Sequence, residues 1–351
     1  MQKTKPTILL IYGGRGVERD VSVMSASYLF SLIDSEEFVT IPVFISERGS
    51  WLKTDRIFHP TQSEENSLSE VHLGILDGRG GIFEGQRFIP VDAAFPMLHG
   101  DFGEDGVVQG ALSCAKINFV GPDVYSGSLT MDKAYTKIIA ERLGIPTARF
   151  VLGIEGSSHY SASEALSRAE EEFGYPMFIK PARLGSSIGA SRADNRESAT
   201  LAYDAAKLYS DRVLIEELVD IDKEVECGYF KVKNKEIITD LAEISCSFGF
   251  YDYERKYFCE SGASLCTQAE VDEKIREAVK QYSKLLAEYL GIRHLSRIDF
   301  FITREGRVVF NEINAIPGFT SSSMYPLLIK EAGLDPHLAV SLMIKDATGL
   351  C

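Results

Sequence analysis

The stretch that most restricts this chain is residues 295–326, LSRIDFFITREGRVVFNEINAIPGFTSSSMYP. Two apolar-rich runs, 296–302 and 308–314, flank the polar turn Thr303-Arg304-Glu305-Gly306-Arg307, which is the pattern of a β-hairpin. Plain pairing through that turn sets Asp299 opposite Glu312 and Arg297 opposite Asn314, and the two-residue alternation of a strand puts all four side chains on one face. Two carboxylates directly opposed repel each other, so a fold keeps such a pair only where a cation offsets it. The donor set is all oxygen, Asp299, Glu312 and the Asn314 amide, with no imidazole or thiolate. The expected ion is therefore hard, Mg²⁺ or Mn²⁺, bound largely through waters and phosphates. A solvated surface hairpin would explain scattered charges more simply, yet Ile298, Phe300, Phe301, Ile302, Val308, Val309, Phe310 and Ile313 are apolar on both faces. That predicts an interior hairpin. Beyond it, Pro317-Gly318 turns tightly and residues 320–323 add hydroxyls, together a donor-rich place for an oxyanion or carboxylate.

The 351 residues are enough for two or three domains with real cores, and 37 basic against 51 acidic residues leave a net charge of −14 with no basic run. Nucleic acid and anionic membrane are thus poor partners, although local lysines can still hold phosphates. The opening MQKTKPTILLIYGG is a short strand before glycines, neither a signal peptide nor a membrane span, so a cytoplasmic enzyme is expected. Cys114, Cys227, Cys246, Cys259, Cys266 and Cys351 form no CxxC pair or zinc spacing and are read as reduced thiols.

In order, residues 7–12 predict a buried strand, 20–33 a helix and 38–45 a second strand, a β-loop-α-β unit of a doubly wound domain. GGRGVE is not a dinucleotide fingerprint, but Glu18 lies where open α/β sheets bind ligands. Residues 61–70 read as a surface loop. Residues 93–98 form another strand, ending in His99 and a glycine-rich turn before a helix at 107–115; His99 could contact an anion or simply bond the loop. A boundary falls near Gly121-Pro122-Asp123. Then come a helix at 132–143, a capped helix to Phe173, and a strand at 177–181 carrying Lys180. The loop 183–191, rich in small residues, can lie over phosphates with its N–H groups, although it is no Walker loop. A strand at 212–218, a meander over 224–244 and a long segment at 245–267, read as a lid, lead to a helix at 271–290, the hairpin and two final helices.

A lysine strand with a small-residue loop, a Glu-Glu strand, a Lys-Tyr lid and an Arg-x-Asp/Asn-Glu-x-Asn hairpin together resemble the ATP-grasp ligases, and within them the D-alanine:D-alanine ligase family. The motifs that carry the resemblance are GGRGVERDVS from Gly13, LHGDFGEDGVVQG from Leu98, MDK at 131–133, IKPARLGSSIG from Ile179, FYDYERKY from Phe250, RIDFF from Arg297 and NEINAIPGFTSSSMYP from Asn311.

The resemblance implies an α/β (α+β) three-domain ATP-grasp fold: a Rossmann-like domain at 1–125, a central domain at 126–215 and a C-terminal domain at 216–351. It implies ATP phosphates on Lys133, Lys180, Ser187 and Lys256, and adenosine along Glu216, Glu217, Val219 and Glu224. Asp299, Glu312 and Asn314 would bind two Mg²⁺ or Mn²⁺ ions. The first D-alanine would meet Glu18 and His99, with Ser186 and Tyr257 closing over it. Ser323 and Met324 would receive the second, and Arg297 with the Gly318 N–H would stabilise an oxyanion. A homodimer making a peptidoglycan precursor is implied as well. Leu184 stands where some relatives carry a carboxylate, and 264–267 lacks a proline common in the family. Lys256-Tyr257 argues against a D-lactate-using ligase and Met324 against a D-serine-using one. A metal-dependent phosphohydrolase would leave the adenosine strand and lid unexplained, and a silent ATP-binding regulator would not need the full set of charged residues.

Overall fold

The computed structural model describes residues 5–246 and 263–350. The first part runs β1 (Thr7–Gly13), α1 (Arg19–Leu32), β2 (Val39–Ile45), β3 (Trp51–Lys53), α2 (Gln62–Glu65), β4 (Ser69–Leu76), β5 (Arg79–Glu84), β6 (Arg87–Pro90), β7 (Ala93–Pro96), α3 (Val107–Cys114) and β8 (Asn118–Phe119). These strands make one sheet in the order β6-β5-β4-β3-β2-β1-β7-β8, parallel from β2 to β8 and antiparallel through the rest. β1 is apolar throughout because both faces are covered. Ile8, Leu10 and Tyr12 enter one core with Ala26 and Leu29 of α1, while Leu9 and Ile11 enter another with Val108 and Leu112 of α3. The stretch 61–70 is not a plain loop: Thr61 and Glu64 form a full capping box on α2, and Ser69 already begins β4. Local side-chain bonding gave that polar run a structure that apolar periodicity could not reveal.

The second part comprises α4 (Val124–Met131), α5 (Lys133–Arg142), β9 (Phe150–Ile154), α6 (Ala162–Glu172), β10 (Met177–Pro181), β11 (Ser191–Ala193), α7 (Arg196–Ala206) and β12 (Arg212–Glu217). Its sheet is antiparallel, in the order β11-β10-β12-β9. α4, which the sequence did not announce, runs straight into α5, and Asp132 closes the first helix while capping the second through the N–H groups of Ala134 and Tyr135. The third sheet, ordered β15-β14-β13-β16-β17, is built from β13 (Ile221–Val232), β14 (Lys235–Cys246), β15 (Ala263–Cys266), β16 (His294–Thr303) and β17 (Val308–Asn314). It carries α8 (Glu273–Tyr289), α9 (Met324–Glu331) and α10 (Pro336–Ala347). Both ends of the expected lid are strands, since Ser245 pairs with Ser264 and Cys246 with Ala263. Lys256 and Tyr257 lie outside the described residues. Among the described residues no helix is long and apolar enough to cross a membrane.

The hairpin of β16 and β17 pairs Asp299 with Glu312 and Arg297 with Asn314, but nearer the turn Phe300 meets Phe310 and Ile302 meets Val308. A bulge at Asn311 shifts that half of the ladder by one residue, a difference from plain pairing.

His294 ties the turn that follows the first sheet's last strand to the third sheet. The Gly121 N–H donates to His294 Nδ1 at 2.9 Å, so the ring proton sits on Nε2, which faces Asp346 Oδ2 at 3.2 Å. Burial, with a smaller push from the Arg293 charge, drives the imidazole down to about 4 from its usual 6.5. The folded-state value lies below the unfolded one, so only the unfolded chain binds this proton between the two. The stability it contributes is full above about pH 6.5 and is lost as pH falls toward 4, by up to roughly 3 kcal/mol. Urea unfolding at pH 7 and pH 4.5 should show a larger loss in the wild type than in His294→Gln; equal losses would reject this account.

Candidate active site

The carboxylate pair belongs to a longer rung. Glu226 of β13 pairs with Asp299, which pairs with Glu312, and two rungs along, on the same face, Gly228, Arg297 and Asn314 stand in line. Arg297 grips both oxygens of Asp299 at 2.8 and 2.7 Å and reaches Glu226 at 3.0 Å. Lys133 approaches Glu312 at 3.1 Å, and the Asn314 amide donates to Asp299 at 2.9 Å. Sequence reasoning missed Glu226, although the alternation of Glu224 and Glu226 across Val225 marks one polar face of β13. Among the described residues no group of three His, Cys, Asp or Glu side chains converges as a metal cage. Asp299, Glu312 and Asn314 match a hard cation in donor chemistry, with Arg297 and Lys133 as the present counter-charges.

Behind this rung lies a buried chain of charge. Glu216 on β12 meets Lys137 at 2.7 Å and Lys180 at 2.9 Å, and Lys180 also donates to Asn311 Oδ1 at 3.3 Å, the bulged residue of β17. Burial alone would raise the Glu216 carboxyl, but the two ammonium groups hold it below the usual carboxylate range. Burial pulls Lys137 down, opposed by Glu216. Lys137 is 1% exposed and was not foreseen. Its signal was position: on α5 it falls in register with the buried Ala134 and Ala140. Glu217, on the opposite face of β12, accepts from the Arg149 N–H and guanidinium at 3.0 and 2.7 Å.

The loop after β10 places Ser186 and Ser187 consecutively in the left-handed region, at φ 56° and 57°, a strained backbone that collects at functional sites. Ser186 Oγ donates to Glu18 Oε1 at 2.5 Å, joining this loop to the start of α1. Gly100 lies in the left-handed region at φ 67°, which favours glycine, and a Cβ there would lie 2.3 Å from the Glu18 carboxylate and displace it. Lys133, Lys180, Ser187, Glu216, Glu217, Val219, Glu224, Asp299 and Glu312 all line one cleft. Arg297, Gly318, Ser323 and Met324 line a second hollow against Met24 and Tyr28 of α1, and Glu226 and Ile244 border both. Ser323 Oγ accepts the Thr320 N–H at 3.1 Å, and Met324 is buried against Ala242 and Leu328.

His99 lies outside both hollows. Its Nδ1 faces the Ile316 carbonyl at 2.9 Å, which can only accept, so Nδ1 carries a proton, and its Nε2 lies 3.0 Å from the Ser25 hydroxyl. Ser25 Oγ in turn accepts the Phe319 N–H at 3.1 Å. Glu104, unmarked in the sequence reading, accepts the N–H groups of Gly100 and Ile316, each at 2.9 Å. Burial and then the neighbouring Glu18 charge push its carboxyl up to about 8, against the pull of those two N–H bonds and of Lys133.

Replacing Glu216 by leucine would strand two buried ammonium groups, so Glu216→Leu should lower stability by about 3–5 kcal/mol. Lys137→Met, which leaves Lys180 to hold Glu216, should lose less. Denaturant midpoints for both variants check this; equal losses would mean that the shared carboxylate is not what holds the floor of the cleft.

Family models described as D-ala D-ala ligase N-terminus and D-ala D-ala ligase C-terminus match residues 7–122 and 139–345. A D-alanine--D-alanine ligase of Streptococcus mutans serotype c is 38% identical over 355 residues, covering 99% of this chain and 96% of the relative. One from Lactococcus lactis subsp. cremoris is 36% identical over 94% of this chain and 93% of the relative. Among solved structures, a D-Ala:D-Ser ligase from Enterococcus faecalis superposes with a TM-score of 0.86 at 32% identity, over 98% of this chain and 100% of that one. D-alanyl-alanine synthetase A from Vibrio cholerae gives 0.86 at 28% identity, over 99% of both. Two matched halves, near-complete coverage and one shared architecture agree: this chain belongs to the D-alanine--D-alanine ligase family.

Proposed function

We propose that this chain joins two D-alanines into D-alanyl-D-alanine with ATP, through an acyl phosphate, for peptidoglycan precursor synthesis. The observation that carries the proposal is the adjacency of two hollows: a lysine- and carboxylate-lined cleft shares Glu226 and Ile244 with a second lined by Arg297, Gly318 and Ser323. Adenosine lies along Glu216, Glu217, Val219 and Glu224, and the phosphates meet Lys133, Lys180 and the Ser187 loop. Asp299, Glu312 and Asn314 hold the metal, as two Mg²⁺ or Mn²⁺ ions, which supplies charge neutralisation at the transferring phosphoryl group.

Glu18, steadied by Ser186, seats the ammonium of the first D-alanine. The carboxylate of that D-alanine attacks the γ-phosphorus, the bond to the β-phosphate oxygen breaks, and ADP is left. The second D-alanine is anchored by its carboxylate at Ser323, with Met324 at its methyl group. Its free amine attacks the acyl carbonyl, and phosphate departs. Arg297 and the Gly318 N–H receive the oxyanion, each donor worth about 3 kcal/mol by analogy with other oxyanion holes. Lys256 at the phosphates and Tyr257 by the first D-alanine complete the implied set of residues; both lie outside the described residues.

The Enterococcus faecalis neighbour is a D-Ala:D-Ser ligase, so D-serine is the second substrate to weigh; the buried apolar Met324 favours D-alanine. A three-way division at 1–125, 126–215 and 216–351, a homodimer and a cytoplasmic setting complete the proposal.

Purified protein with Mg-ATP should release ADP only with D-alanine, and mass analysis should find D-alanyl-D-alanine even beside excess D-serine or D-lactate. A mixed product would make second-substrate choice broader than proposed, and ADP release without any amino acid would reject the ligase. Glu312→Gln should cut turnover at least a hundredfold, on the order of losing one key charge-stabilising group, with unfolding unchanged. Full activity in that variant would remove the metal role from the hairpin.

A further inference from the structure

The turn that follows β17 is held from outside its own sheet. Ile316 donates its N–H to Glu104 Oε1 at 2.9 Å and accepts the His99 Nδ1–H at its carbonyl at 2.9 Å, and Phe319 donates its N–H to Ser25 Oγ at 3.1 Å. All three side chains come from the part of the chain that builds the first sheet, and Ser25 and His99 also bond each other at 3.0 Å. Between the pinned residues stand only Pro317, whose ring fixes φ, and Gly318, the one position there with wide backbone freedom. With both ends fixed, the direction of the Gly318 N–H is fixed too. Glu104 closes the clamp: its other oxygen accepts the Gly100 N–H at 2.9 Å, beside Glu18, so a single carboxyl couples the loop around the first amino acid's seat to the turn carrying the oxyanion donor. Glu104 also shares a small hollow with Lys133, Glu312 and Asn314, next to the reacting groups.

We infer that Glu104 is a positioning residue for the second chemical step, holding the Gly318 N–H where it directs the acyl phosphate to the amine rather than to water. The inference rests on the ligase assignment. The first step does not use this donor, so acyl phosphate and ADP still form when the clamp is broken. Water then attacks the phosphorus of the stranded acyl phosphate, its bond to the carboxyl oxygen breaks, and D-alanine and phosphate return. That route needs no carbonyl oxyanion. Its net result is ATP and water going to ADP and phosphate, so a loosened clamp shows as ADP produced in excess of dipeptide.

The test counts ADP and D-alanyl-D-alanine in the same reaction for wild type, Glu104→Gln and Ser25→Ala. Glutamine keeps one acceptor oxygen and turns an NH₂ toward the other N–H; alanine at 25 removes the bond to Phe319. Dipeptide formation should fall about tenfold or more, up to the roughly hundredfold loss expected if the oxyanion donor were removed outright. ADP formation should fall much less, the ADP-to-dipeptide ratio should rise from about one to above two, and the KM for ATP should stay within about twofold. A ratio held at the wild-type value in Glu104→Gln, whether turnover is kept or falls in step, overturns the inference. If that variant does not fold, the ratio in Ser25→Ala decides. A wild type that makes no dipeptide would instead reject the ligase assignment.

Discussion

Three carboxylates in one rung, Glu226, Asp299 and Glu312, set the terms for everything around them. Like charges about 4 Å apart repel by roughly 4 kcal/mol at the effective dielectric of a protein surface, so the ladder stands only with counter-charges in place. They come from two directions. Arg297 lies on the same strand as Asp299, two residues away, and spans Asp299 and Glu226. Lys133 comes from the start of α5 and spans Glu312 and the Leu184 carbonyl at 2.8 Å. That second cation binds a helix, the small-residue loop and the hairpin into one wall. Under the proposed function, a ligand carrying phosphates would enter a cleft whose lysines are already held by carboxylates, and it would replace partners rather than create order.

The aiming of Lys133 has its own cause. Asp132 caps α5 and is itself held by Arg183 at 2.9 Å and Arg212 at 2.7 Å, while the Lys133 N–H donates to the Ala182 carbonyl at 3.0 Å. A capped helix end normally contributes about 1 kcal/mol of stability. Here the same cap also fixes the first helical side chain relative to β10 and β12. Lys180 is fixed similarly, between Glu216 and Asn311, and the bulge is what brings Asn311 to it. An irregularity in the ladder thus joins the second and third sheets.

How much of this was legible follows from what each residue leaves in the sequence. Asp299 does pair with Glu312, but plain alternation from the observed turn, where Ile302 meets Val308, would set Asp299 opposite Asn311; the bulge supplies the extra residue, while the neighbouring apolar residues did show that the hairpin was interior. The bulge was not readable, since an extra residue in a ladder changes no composition. Residues 61–70 looked like loop because their structure comes from a capping box and not from apolar spacing. Lys137 left a trace as a charge on a buried helical stripe, but its partner Glu216 lies far along the chain. Glu104 left none: a glutamate in a glycine-rich turn is ordinarily solvated, and its bond to Ile316 crosses more than two hundred positions. The roles of individual residues came mainly from ordered motifs shared with a family, while the physics of the hairpin supplied an argument independent of them.

Several contacts of the site share a property that bears on how it works. Ser186 to Glu18, Glu104 to Ile316 and Gly121 to His294 each cross between sheets. The lining of the two hollows is therefore assembled where the sheets meet, so the relative placement of the sheets is itself a catalytic variable. A two-step reaction with an intermediate that water destroys needs that arrangement: the phosphoryl acceptor, the amine and the oxyanion donor must be registered to one another across separate pieces of structure. A site confined to one sheet could fix any one of them. Only bonds that span the junctions can fix all three at once.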